Sequence, residues 1–274
     1  MQSAKEVATR WYGFLKNKFA TTRTELTVRP EMEKLPPTQG SDPLTETEIL
    51  QGLAKMKTNK ATGPDGIPII IFKKCPTCQK LLVKLLQQIW DEERVPTEFG
   101  KAKFKMLFKN KGSANDPAKY RCLGLLNHSY KVLSQCMLAR LQKETSDFLP
   151  DWQAGFQQNR GCRDNTLILR TLFDAVLQKH GKMYVTFIDY SAAFDSVSHK
   201  FIDTALAEAK ATDKTRVMFR AIYKSATART DVEGIDGKTE QSDVFPINRG
   251  VIQGDITSPY VVFHYCARAH LATA

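Results

Sequence analysis

Long apolar runs are missing from this sequence. The longest clean one is Ile69–Phe72, against the ~20 residues a membrane span needs, so no transmembrane helix is expected. The opening MQSAKEVATR lacks the apolar stretch of a secretory signal. Cysteine is sparse: six are present and only Cys75 and Cys78 lie close together. A structural zinc site would need a second ligand pair at matching spacing, and there is none. No thioredoxin-like context surrounds the pair, so the thiols are expected to be reduced and structural. Repeats and low-complexity segments are also absent. With 42% hydrophobic and 25% charged residues the composition is that of an ordinary globular protein. Disorder, collagen-like repeats and disulfide mini-scaffolds are excluded. The 274 residues suggest one large or two small domains.

Acidic residues are the other shortage: 29 Asp and Glu face 40 Lys and Arg, a net charge of +11. Such a balance points to a polyanion partner only where the charge clusters. It does between Phe99 and Lys143, where ten Lys and Arg face a single acid, Asp116. Lys101, Lys103 and Lys105 alternate with Ala102, Phe104 and Met106. Period two predicts a strand with one basic face. Lysines also guard exposed sheet edges. Three in line, followed by Lys109, Lys111, Lys119 and Arg121, exceed that need and favour contact with phosphates.

The coarse plan follows from periodicity. Val7, Trp11, Phe14, Leu15 and Phe19 predict a helix, and 21–43, with four prolines, reads as a linker or arm. Thr45 and Glu48 form a capping box for the next helix, with Leu44 stapling onto Ile49. Lys60–Ile67 reads as a rigid turn. Leu81 to Trp90 marks a buried helix closed by Pro96. Residues 101–108 and 120–126 predict a hairpin. Tyr130 to Leu141 is helical, and Ile168 to Leu177 is the cleanest amphipathic helix of the chain. Lys182–Ile188 (KMYVTFI) predicts a strand ending at Asp189. Helices follow from about Ser198 and through Val217–Ile222, then a hairpin over 226–247 turning at Asp236-Gly237. A last helix starts near Ser258-Pro259. Helix-rich ends around mixed strands read as α+β.

The chemistry concentrates where that strand ends. A carboxylate delivered by an apolar strand reads equally as a turn or cap residue and as a cation ligand. Mg²⁺ favours one or two carboxylates plus phosphate oxygens, and two such ions can activate a hydroxyl and stabilise a leaving pyrophosphate. Asp195 reads as a helix N-cap near Ser196. Asp65 reads as a turn residue, and Asp255 as a structural turn acceptor.

Five blocks give this stretch a context. They are K-A-T-G-P-D-G-I at Lys60–Ile67; Y-R-C-L-G-L-L at Tyr120–Leu126, followed by Asn127 and Tyr130-Lys131; Q-A-G-F-Q-Q-N-R-G-C-R at Gln153–Arg163; F-I-D-Y-S-A-A-F-D at Phe187–Asp195; and G-V-I-Q-G-D-I-T-S-P at Gly250–Pro259. In this order and at these spacings they resemble the reverse transcriptase of non-LTR (LINE-like) retrotransposons, from about residue 44 to 263.

The resemblance implies an RNA-directed DNA polymerase with a right-hand fold, here fingers plus a partial palm. The implied division is an N-terminal helix and Pro-rich linker (1–43), fingers and fingers–palm helices (44–180) and a partial palm (181–274). It implies Mg²⁺ in a two-metal site, held by the Asp189 carboxylate and the backbone carbonyl of Tyr190. Lys109, or Lys111, and Arg121 resemble the pair that grips the triphosphate. Phe194 resembles the aromatic gate that excludes a 2′-hydroxyl; by itself it reads as a core aromatic. Gln253 and Gly254 resemble the support for the templating base and nucleotide. Gln153, Gly155, Phe156 and Arg160 match a template-side block. The implied partners are an RNA template, a DNA primer, dNTPs and the remainder of a retroelement polyprotein, and the element's work implies access to a nucleus or a ribonucleoprotein particle.

The pattern departs from the family in three places. Cys122 stands where Pro is usual and Gly124 where Ser is usual, which is expected to loosen the fingers strand. The family's second carboxylate motif, aromatic-Ala-Asp-Asp, has no counterpart, since no two aspartates are adjacent anywhere. The expectation is a chain truncated before that motif, without a thumb. It would have a marginal palm whose strand at Asp189 keeps an unpaired edge, and would be inactive alone. Two readings remain beside the polymerase fragment: a non-catalytic nucleic-acid-binding remnant, and a relative of group II intron maturases or telomerase. A protein-interaction module with a coincidental basic face would not explain five ordered blocks.

Overall fold

Helices and a mixed sheet share one apolar core in the computed structural model. It describes residues 3–20, 42–148, 152–157, 159–189, 192–233 and 239–271, the side chains of 265–271 apart. The Pro-rich stretch 21–41, the turn at Asp236-Gly237 and Tyr190 lie outside the described residues.

Helix α1 (Ala4–Lys18) is capped by Ser3, with Glu6 reaching back. Helix α2 (Glu46–Lys55) starts on the capping box foreseen at Thr45 and Glu48. The short α3 (Ile69–Lys74) leads into α4 (Pro76–Glu92), which buries Leu82, Val83, Leu86, Ile89 and Trp90. Strands β1 (Lys101–Phe108) and β2 (Tyr120–Leu126) form the expected antiparallel hairpin, in register from Ala102 opposite Leu126 to Phe108 opposite Tyr120. Helix α5 (His128–Glu144) then crosses the core. After it come α6 (Cys162–Gln178), a single turn α7 (Ala193–Ser196), α8 (His199–Glu208) and α9 (Asp213–Lys224). Strands β3 (Thr227–Glu233), β4 (Thr239–Gln241) and β5 (Phe245–Pro246) precede α10 (Ser258–Leu271).

The sheet runs β2-β1-β3-β4, with β5 paired to β3. Strand β3 lies parallel to β1, Lys101 beside Thr227 through Phe104 beside Thr230. One sheet thus takes strands from either side of residue 180. Period-two alternation turns Ala102 and Phe104 into the core and Lys101, Lys103 and Lys105 away from it. Two of these lysines carry partners: Lys101 pairs with Glu98, and Lys103 with Asp231.

One predicted element does not form. Residues 181–189 form no strand and join no ladder among the described residues. Tyr184 is 92% and Phe187 84% exposed. Strand propensity measures how well a side chain fits a pleated, half-buried surface, and no neighbouring strand supplies one here. Helix α6 forms as foreseen, yet it buries no residue. Its apolar stripe, Leu167, Ile168, Leu172, Phe173 and Leu177, faces outward. The weakly packed part is therefore 162–189 and not the whole region beyond 181. Val197, Ile202, Leu206, Met218, Phe219, Phe245, Val251 and Val261 all belong to the common core.

Candidate active site

The block Gly250–Pro259 is where the distant motifs meet. Val251 donates its N–H to Phe194 O and Gly250 to Val197 O, each at 2.7 Å. These bonds tie the block to α7. The Gly124 N–H of β2 donates to Gln253 O at 2.6 Å, and Leu123 bridges Gln253 in parallel. Asp255, buried, accepts from Tyr130 Oη at 2.9 Å, Ser134 Oγ at 2.5 Å and Thr257 Oγ1 at 2.9 Å. It is the structural turn acceptor that the sequence suggested, and it fastens the block to α5.

The first block joins through Asn127. Its Oδ1 accepts from the Asp65 N–H at 3.2 Å, and Asp65 Oδ1 accepts from the Ile67 N–H at 3.0 Å. Asp65 is thus a turn residue, as read. The third block rests on α10, with the Phe156 and Phe263 rings 5.1 Å apart.

These contacts leave a cleft of about 1020 Å³ in front of the hairpin. Lys109, Arg121, Phe156, Asp189, Phe194 and Gln253 line it. In β2 Arg121 points away from the core because Cys122, its neighbour, points in. Lys109, just past β1, is held by N–H to Lys119 O at 2.9 Å, and its Nζ donates to Ala118 O at 3.1 Å. Phe194 is half-buried, with one side against the core and the other on the cleft. Ala192 sits at φ 53° as the residue before α7. A left-handed non-glycine backbone at a cleft wall is stored strain of the kind found at functional sites.

The remaining candidates stand elsewhere. Lys111, Gln153, Gly155 and Arg160 do not line the cleft, and Tyr190 lies outside the described residues. Gly254 opens onto a separate groove with Lys55, Lys57, Lys60 and Lys131. Burial, with Lys60 adding, pulls the Lys131 amine below its ordinary range. Gly254 needs its residue type twice over: φ is +120° and a Cβ would sit 2.4 Å from Gly124 O. A Cβ at Gly124 would lie 2.1 Å from Ile252 Cγ2, so a side chain there would require Ile252 to move. The glycine at this position leaves room for Ile252 against the strand. Cys122 is packed in the core, and burial pushes its thiol up to about 11.

Asp195 overturns its reading as an N-cap. It lies inside α7, 7% exposed, and pairs with Lys18 Nζ at 2.8 Å. Gln253 Nε2 reaches its other oxygen at 3.5 Å. A buried carboxylate needs a cation, and α1 supplies it. Phe14, Asn17 and Lys18 of α1 also line the cleft. Sequence reading missed them because only tertiary contact brings residue 18 to residue 195; the basic last turn of an amphipathic helix was the one visible signal. Among the described residues no group of three or more His, Cys, Asp and Glu could hold a metal ion. Asp189 offers one exposed carboxylate and Asp195 is engaged by Lys18, so these donors do not complete a two-metal centre.

Residues 108–269 match the family model described as reverse transcriptase (RNA-dependent DNA polymerase). The chain belongs to the reverse transcriptase family. It is 26% identical over 217 residues to a retrovirus-related Pol polyprotein from the type-1 retrotransposable element R2 of Nasonia vitripennis, covering 79% of this chain and 20% of that protein. It is 27% identical over 228 residues to the RNA-directed DNA polymerase from mobile element jockey of Drosophila funebris, covering 81% and 24%. A type-1 R2 polyprotein of Popillia japonica matches at 25% over 219 residues, covering 80% and 29%. The chain thus spans less than a third of the length of these relatives. These similarities identify a reverse transcriptase domain of the non-LTR, LINE-like kind.

Proposed function

We propose that the cleft receives the triphosphate end of a deoxynucleotide. In this reading the chain supplies fingers and palm residues of a retroelement reverse transcriptase, and its described carboxylates do not by themselves make a complete catalytic centre. The observation that supports it most is convergence: Arg121, Phe156, Asp189 with Phe194, and Gln253 come from four motif blocks and line one cleft together with Lys109 of the hairpin. Arg121 supplies a planar fork for two phosphate oxygens, and Lys109 a point charge beside it. Phe194 offers a flat apolar wall where a 2′-hydroxyl would lose its water without a partner. Asp189 gives a single carboxylate to a divalent ion such as Mg²⁺, too few oxygens by itself. The groove of Lys55, Lys57, Lys60 and Lys131 offers cations to the backbone of an RNA template. The alternative that relies on the basic hairpin alone has less to work with, because Lys101 and Lys103 are already ion-paired.

Equilibrium binding of a dNTP to the purified chain tests this. Arg121→Ala removes a charge-assisted contact of about 1.5–3 kcal/mol, so affinity should fall by about 10- to 150-fold. Unchanged affinity would refute the assignment. Primer extension on an RNA template by this chain would refute the claim that its catalytic centre is incomplete.

A further inference from the structure

The joint between α3 and α4 carries Cys75-Pro76-Thr77-Cys78. Cys75 closes one helix and caps the next. Its N–H donates to Ile71 O at 2.9 Å, and its Sγ accepts from the Cys78 N–H at 3.4 Å. Pro76 takes the first helical position, where no N–H is required. The chain therefore curls the first thiol over the opening turn of α4, toward the second. Both thiols are free and half-exposed. Cys136 differs: it is buried, and burial pushes its thiol up to about 12.

The surroundings favour a thiolate. No acidic residue lies between Asp65 and Asp91, whereas Lys74, Lys80 and Lys84 do; Lys73 is turned to the Ala54 and Met56 carbonyls. The positive end of a 17-residue helix points at Cys75. The Cys78 thiol, and then its amide, hold the Cys75 thiol below its ordinary range, while the same contact pushes Cys78 up. One nucleophile and one protonated resolving partner is the division of labour that stepwise exchange uses. The pair does not suit a metal, since among the described residues no third ligand joins it.

We propose that Cys75 and Cys78 form a reversible dithiol–disulfide site that small-molecule disulfides oxidise. The Cys75 thiolate attacks one sulfur of the disulfide, forming a mixed disulfide and expelling one thiolate. Cys78 then gives its proton to solvent and attacks Cys75 Sγ, expelling the second. The protein loses two electrons and two protons; the small disulfide gains the electrons and leaves as two thiols. This site is remote in sequence from the cleft residues and stands whether or not the nucleotide reading does.

The test equilibrates the full chain in glutathione buffers of increasing oxidised fraction, then quenches with acid, alkylates with N-ethylmaleimide and digests with trypsin. Cleavage after Lys74 and Lys80 isolates residues 75–80. The expected result is that this peptide loses two hydrogens and both maleimide adducts together, and regains them in reduced glutathione. Cys78→Ser should leave Cys75 trapped as a glutathione mixed disulfide. Cys75→Ser, which keeps a good helix cap, should leave Cys78 alkylated. The proposal is overturned if the wild-type peptide keeps both thiols in buffers where exposed Cys162 is already glutathionylated. It is equally overturned if that peptide stops at a mixed disulfide.

Discussion

Removing one oxygen from Tyr130 should destabilise the protein measurably, and the loss should depend on Asp255. The Tyr130 hydroxyl is fully buried and donates to Asp255 Oδ2 at 2.9 Å. Ser134 and Thr257 complete the shell around that carboxylate. Tyr130→Phe deletes a hydrogen bond to a charged acceptor, worth about 1.5–3 kcal/mol. At roughly 2–4 °C per kcal/mol for a chain of this size, the Tm should fall by roughly 3–12 °C. Urea melts at constant m-value would give the free energy. Combining Tyr130→Phe with Asp255→Asn should cost less than the sum of the two single losses, because both remove the same contact. An alkaline signature accompanies it. Burial, and then the Asp255 charge, hold the Tyr130 pKa well above its ordinary value. The unfolded phenol ionises near 10, so this contribution is complete below about pH 10 and is lost as pH rises toward the folded value. Tyr130→Phe should flatten that decline. A Tm within one degree of wild type, or strictly additive losses, would refute the reasoning.

Gly254→Ala should cost about 2–5 kcal/mol, from positive φ and from contact with Gly124 O; a thermal melt within error of wild type would contradict this. Lys18→Met leaves buried Asp195 without its cation and should destabilise by on the order of 3 kcal/mol, read by urea melts, with Lys18→Arg recovering part. Hydrogen bonding to Arg140 holds Glu48 at a pKa of about 2, below 4.5. Its contribution is therefore present above pH 4.5 and lost as pH falls toward 2. Arg140→Met should flatten the acid limb of a stability–pH curve over that window, and an unchanged limb would count against the pair.

Local chemistry was readable wherever the partner was near in sequence. The alternation Lys101–Met106 and the capping box at Thr45 and Glu48 specify β1 and α2 without outside help. The cleft was readable in part, because motif blocks name Arg121, Asp189, Phe194 and Gln253 by type and order, and the basic hairpin between them adds Lys109. What stayed hidden depends on contacts between distant segments. Nothing local in Thr227–Glu233 says that it will lie parallel to Lys101–Phe108. Nothing near Asp195 announces Lys18. KMYVTFI misled for the same reason, since its preference for a strand becomes a strand only beside another. Gly124, read from the sequence as a weakness in β2, also makes room for Ile252, a contact between residues far apart in the chain.

Phe19 joins the N-terminal helix to the sheet. Its ring stands 5.6 Å from Phe104 and 6.4 Å from Phe245, and its carbonyl accepts from the Asn248 N–H at 3.1 Å. Arg249 Nε donates to the preceding carbonyl, Lys18 O, at 3.2 Å. A recombinant version begun near residue 44, where the recognisable motifs start, would excise the aromatic keystone of the sheet and free the loop leading to Gly250. A version of this domain that keeps these contacts therefore has to start upstream of Lys18 and Phe19.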